Sequence, residues 1–385
     1  MSAVLDGSGM SPVVVMALGA ALLGGLAGWL IERSHFCTMG AISDWYLFGS
    51  QRRLRAWGLA IATALVLTQL VAAIGLVPLA LSEPLRSPIE PVALFVGGVL
   101  FGIGMVMAGG CASRNLVRLG GGSLKALVVV LVLGVTAFAA QAGILAPAAD
   151  LLRGVARFAL DQPTQSLGAA LAAAGVGRAA SLDLALGLGL GAGLLLYVLK
   201  DPGFRRSRLD LQLGFGLGVL IALGFVLTAW LQAPPVVVSP ASVAPPVEVA
   251  SLTFVAPIAE AQLWAMTGDG IWPGFGAALV IGTVLGAALS AVLAGRARIE
   301  TFGHRDDMIR HVIGGVLMGF GGILALGCTI GQGMTGLATM ALGSFLALFG
   351  IVLGAVLALR RLERGSWRAA LGLGGSADLD PAGGA

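Results

Sequence analysis

The chain has 385 residues, 57% of them hydrophobic and 11% charged, with a mean hydropathy of +0.96. A soluble domain carries roughly a quarter charged residues, so the composition excludes an ordinary soluble enzyme and describes a polytopic membrane protein. The net charge of +4 reads as arginine in cytoplasmic loops rather than as a nucleic-acid surface, and three cysteines spread along the chain, with no C-x-x-C, support neither a disulfide framework nor a metal or cofactor site.

Residues 12–31 form the first apolar run. No basic region or small-residue cleavage site precedes it, so it is expected to remain as a span. It ends in IERSHFCTMG (31–40), which gathers Glu32, Arg33, His35 and Cys37; Glu32 and Arg33 are expected to pair locally. Residues 41–55, aromatic and arginine-rich, read as interfacial. Further spans are expected at 56–77, 91–108, 124–144, 181–199, 212–231, 274–294, 310–326 and 341–360, with a short half-helix at 111–119. The stretch 232–273 is rich in Pro, Val and Ser, lacks Lys and Arg, and reads as one loop. The fold class is therefore an all-α integral membrane protein of about nine transmembrane helices plus short re-entrant halves. Residues 1–360 form a single domain with halves at 12–200 and 211–360, and 361–385 a disordered cytoplasmic tail.

Lys and Arg set the orientation. With the N-terminus outside and the C-terminus inside, all of the 23 Lys and Arg except Arg86, Arg153, Arg157 and Arg178 fall on the cytoplasmic side. One stretch is written twice: GGVLFGIGMVMAGGC at 97–111 and GGVLMGFGGILALGC at 314–328 share nine of fifteen positions and carry two of the three cysteines. In this orientation the third and eighth spans run oppositely, so the copies are upside down. That is a recurrent transporter plan, with half-helix ends aimed at a site between the repeats.

Cys111 and Cys328 each follow a glycine at a helix break, and Cys37 sits in a similar place. A helix starting there points unpaired N–H groups and a positive dipole end at the gap, which suits an anion. A hard oxyanion prefers hydroxyls, arginine or N–H groups, whereas thiols suit a ligand with a soft sulfur or selenium end. Ser113 and Thr329 can cap the helices or donate to that ligand. Arg114 and Arg118, four apart on one helix face, can draw the anion to the cytoplasmic mouth, and Gln332 lies one turn after Cys328.

IERSHFCTMG, AGGCASRNLVRLG and LALGCTIGQGMTGL together resemble the YeeE/YedE family of bacterial inner-membrane proteins, over about residues 15–358. The resemblance implies thiosulfate uptake through an hourglass whose waist is lined by Cys37, Cys111 and Cys328, their thiols hydrogen-bonding transiently to the passing dianion. It also implies a small cytoplasmic sulfur-carrier partner of the TusA type, besides the lipid bilayer. The alternatives are a transporter of another sulfur or selenium compound, a membrane thiol enzyme such as a sulfurtransferase, and a structural subunit without cargo.

Overall fold

The computed structural model describes residues 11–162, 164–231, 249–268 and 272–365. Among them nine helical segments are long and apolar enough to cross a bilayer, and extended pairing is limited to isolated bridges. The architecture is all-α and multi-pass, as the hydropathy demands: in lipid a helix satisfies its own backbone.

The chain builds one unit four times: a long helix, a break, a short helical stretch and a second long helix. The first unit is α1 (Pro12–Ser34), α2 (Thr38–Phe48) and α3 (Arg52–Ala73). The second is α4 (Pro91–Met107), α5 (Ala112–Gly120) and α6 (Leu124–Ala142). A connecting region follows, with α7 (Ala146–Gly154), α8 (Leu167–Ala173), α9 (Ala179–Leu199) and α10 (Pro202–Arg206). The third unit is α11 (Arg208–Leu231), α12 (Val255–Thr267) and α13 (Phe275–Leu293). The fourth is α14 (Arg305–Leu324), a π-helical turn over Gly331–Gly336 and α15 (Leu342–Arg364).

The 41–55 stretch is built from helices, α2 over 38–48, whose first turn the thiol of Cys37 caps, and the start of α3. The 232–273 stretch, expected as one loop, holds α12; its proline, Pro257, lies in the first turn, where the backbone N–H has no helical partner to lose. Of that stretch, 232–248 and 269–271 lie outside the described residues. Helix α15 continues through Arg364, and the remainder of the expected tail, from 366 on, is also outside them.

The packing is reciprocal. Helix α1 lies against α13 and α11 against α3; α4 lies against α15 and α14 against α6; α1 also meets α11, and α4 meets α14. Exchanging the first two units for the last two maps this set onto itself, as a two-fold relation requires. The residues that meet give the directions. Gly97 faces Gly321 and Ala325 while Gly104 faces Gly314 and Met318, so α4 and α14 are antiparallel. Gly19 meets Leu227 and Gly216 meets Leu30, so α1 and α11 are antiparallel too. Helices α4 and α15 are parallel, and here glycine is obligatory: a Cβ on Gly102 would run into the carbonyl of Ile351. Lipid supplies no hydrophobic drive for such pairs, so backbone-to-backbone contact of this kind holds them together. The central buried cluster that results includes Phe101, Met105, Cys111, Phe254, Cys328 and Met334.

Candidate functional site

Each cysteine sits where a long helix is stopped by backbone in the left-handed region. His35 (φ 52°) ends α1, and Cys37 then opens α2, its Sγ accepting from the N–H of Gly40 at 3.4 Å. Gly109 (φ 68°) follows α4, and Cys111 opens α5 in an extended conformation. Leu326 (φ 56°) follows α14, and the Sγ of Cys328 accepts from the N–H of Gly331 at 3.3 Å. The backbone of Phe254, the N-cap of α12, also comes within reach of the Cys328 thiol. Thus the break in the third unit, which carries no cysteine, comes to the thiol of the fourth.

The thiols are buried, with residue exposures of 8%, 2% and 0% for Cys37, Cys111 and Cys328. Cys111 lies within electrostatic reach of both others. The Sγ of Cys111 is 3.2 Å from the Oγ of Ser113, a side-chain pair that leaves the first N–H groups of α5 without a cap. The turn before them is fixed by Asn115, whose amide donates to the carbonyls of Gly110 (2.8 Å) and Cys111 (3.2 Å).

A cavity approaches this group from each end. One, of about 360 Å3, is lined by Glu32, His35, Arg114, Arg118, Arg296 and Arg298. The other, of about 420 Å3, is lined by Glu83, Arg86, Glu90, Arg153, Gln332 and Ser344 among others. They lie at opposite ends of the α4–α5 segment, with Glu90 at one and Arg114 at the other. In the first, Glu32 does not pair with Arg33: it binds Arg296, three residues past the end of α13, at 2.7 and 3.1 Å and accepts from Ser290 of α13 at 2.6 Å. Arg118 binds Glu300 at 3.0 Å. The guanidinium of Arg114, between them, forms no hydrogen bond or ion pair among the described residues. In the second cavity Gln332 is pinned: its Nε2 donates to the carbonyl of Leu326 at 2.9 Å and its Oε1 accepts from Ser344 at 2.5 Å.

Over residues 33–357 the sequence matches the family described as sulphur transport, a range that contains all three cysteine turns. The chain belongs to this family. The thiosulfate transporter TsuA of Spirochaeta thermophila is 27% identical over 349 residues, which cover 86% of this chain and 95% of that protein. The thiosulfate transporter TsuA of Escherichia coli K12 is 25% identical over 347 residues, covering 88% of this chain and 92% of its own length. The family resemblance carried by the three cysteine motifs is thereby borne out. Membership makes this a multi-pass membrane protein of sulfur transport rather than an enzyme.

For a sulphur transporter, polar atoms left unpaired in the interior are the ones to notice, since a buried polar group without a partner is costly. Thr38 Oγ1, Asn115 Oδ1 and Thr329 Oγ1 are buried without a partner among the described residues, all within one turn of a cysteine. Sequence reasoning singled out Thr329 but missed Asn115 and Phe254. A polar Asn four residues after Cys111 was a visible signal; nothing in the SLTF segment (251–254) announced that it would reach Cys328.

Proposed function

We propose that the protein imports thiosulfate across a bacterial inner membrane, passing the anion along Cys328, Cys111 and Cys37. The observation that carries this reading is the placement of three buried thiols at the helix breaks of three of the four units, Cys111 within electrostatic reach of both others, with a cavity at either end. The antiparallel pairing of α4 with α14 and of α1 with α11 supports an inverted-topology repeat. The side rich in Lys and Arg is cytoplasmic in this reading, which makes the N-terminus periplasmic, the C-terminus cytoplasmic and the Arg114 cavity the inner mouth. The Gln332 cavity is then the outer one.

The chemistry divides between the ends of the ion. The soft terminal sulfur meets S–H groups, which donate weakly and release readily. The oxygens meet the uncapped N–H groups of α5, Ser113, Thr329 and finally Arg114. Thiols alone do not stabilise a dianion, whose cost in hydrocarbon is on the order of tens of kcal/mol. Water in the two cavities shortens the dry passage, and helix N-termini and Arg114 offset the rest. Weak, serial sites are what conduction needs, because a tight site does not let go. A TusA-type carrier would receive sulfur at the basic inner mouth.

Sulfur-limited growth on thiosulfate tests this. Cys111→Ala and Cys328→Ala, present in the membrane at parental levels, are expected to stop growth; growth like the parent would falsify the thiol pathway. Sulfate competing as well as thiosulfate in an uptake assay would remove the argument for the soft end.

A further inference from the structure

Helix α12 joins two places. Its N-cap, Phe254, touches the thiol of Cys328, and Glu260 lies less than two turns further along. The Oε2 of Glu260 is buried and has no hydrogen-bond partner among the described residues, and the carboxylate lies against the first turn of α13. The space it fills is kept open by a glycine: a Cβ on Gly276 would stand where Oε2 is.

The charged group within electrostatic reach of Glu260 is another carboxylate, Glu83, which lines the Gln332 cavity. Helices α6, α13 and α14, which pack against α12, present no charged side chain to it among the described residues. The cations near this pair, Arg86 and Arg153, act on Glu83. Two carboxylates in mutual reach, one of them buried and without a counter-ion, do not both ionise readily. A buried oxygen without a partner also costs less on a neutral carboxylic acid than on a carboxylate, whose charge would be left uncompensated.

We infer that Glu260 is a proton-binding site of the transport pathway, loaded from the outer cavity by way of Glu83, so that anion uptake is coupled to inward proton movement. The coupling rests on the transport reading above; the proton site stands on α12 itself. The charge balance gives the reason for it. Thiosulfate carries two negative charges into a compartment held negative by the membrane potential, so the potential opposes its import. Each proton that accompanies the ion cancels one of those charges, and no redox step or further reactant is needed.

Two measurements test it on the intact protein in lipid. Infrared difference spectra are expected to contain the C=O stretch of a protonated carboxylic acid at neutral pH, absent in Glu260→Gln and moved along the pH axis in Glu83→Gln. A spectrum of the parent without that band overturns the site. In proteoliposomes loaded with a pH dye, external thiosulfate is expected to acidify the lumen, and an acidic exterior to speed uptake several-fold. Glu260→Gln is expected to make uptake indifferent to the pH gradient, and Glu260→Asp to restore the dependence. Thiosulfate uptake without proton movement, or uptake driven by a sodium gradient instead, overturns the coupling and leaves the cargo standing. The carboxyl band present with no thiosulfate uptake by the parent supports the proton site and overturns the cargo.

Discussion

The two copies of the Gly-Cys repeat end alike and continue differently. After Cys111 the chain enters α5, a regular α-helix whose arginines, Arg114 and Arg118, stand on a cavity wall. After Cys328 every residue through Ala341 is buried, and Gly331–Gly336 coil as a π-helix, with the N–H of Thr335 reaching back to Ile330. Glycine makes the second course feasible. Gly333 lies under Trp57 and Leu348, and Gly331 under Thr253, where side chains would not fit. Similar turns therefore became a rim in one half and a core in the other. A wide turn of this type is found mostly at functional sites.

Four experiments break or sharpen that contrast. The largest effect is expected where both copies depend on the same thing, the close contact of their long helices. Gly102→Leu pushes α4 off α15, and overpacking of this sort costs about 1–3 kcal/mol or more. Loss of folded protein from detergent extracts, by size-exclusion chromatography, is the expected reading; a normal yield would mean that the helices part without harm. Next is Gly333→Val, which drives a side chain into Trp57 and Leu348. Uptake is expected to fall at least tenfold with protein still in the membrane, whereas Leu119→Val, eight residues after Cys111, should leave uptake within twofold.

Arg114→Gln comes third. Removing a cation that has no partner among the described residues is expected to lower uptake several-fold and to weaken its dependence on ionic strength, with thermal stability unchanged. A fall in stability equal to that of an ion-pair mutant would show that Arg114 holds structure. The smallest effect belongs to the strap behind α5. Burial would raise the carboxyl of Glu300, but Ser123 at 2.7 Å and Arg118 at 3.0 Å donate to it and hold it below the ordinary glutamate range. A carboxylate with a lowered folded pKa adds stability that is present above its unfolded value, and that is lost as pH falls through the folded one. The melting temperature of the parent is thus expected to approach that of Glu300→Gln on acidification below the ordinary glutamate range, and to exceed it slightly at neutral pH. Equal melting temperatures at neutral pH would remove the strap.

The sequence by itself determined the spans, because a bilayer accepts only helices of about twenty apolar residues and this requirement is written locally. It also determined the turns: a glycine before Cys111 and before Cys328, and the family that those motifs denote. Tertiary structure alone decided what the turns face. Helix α12 was hidden in a stretch whose average composition is that of a loop, and its Phe254 reaches Cys328 across more than seventy residues of chain. Glu32 passed over its neighbour Arg33 for Arg296, just past the end of a helix that α1 meets through glycines. Hydropathy belongs to single residues and short windows. Which residues share the centre depends on how closely distant helices can approach, and that is fixed by backbone contacts between units that the chain visits far apart.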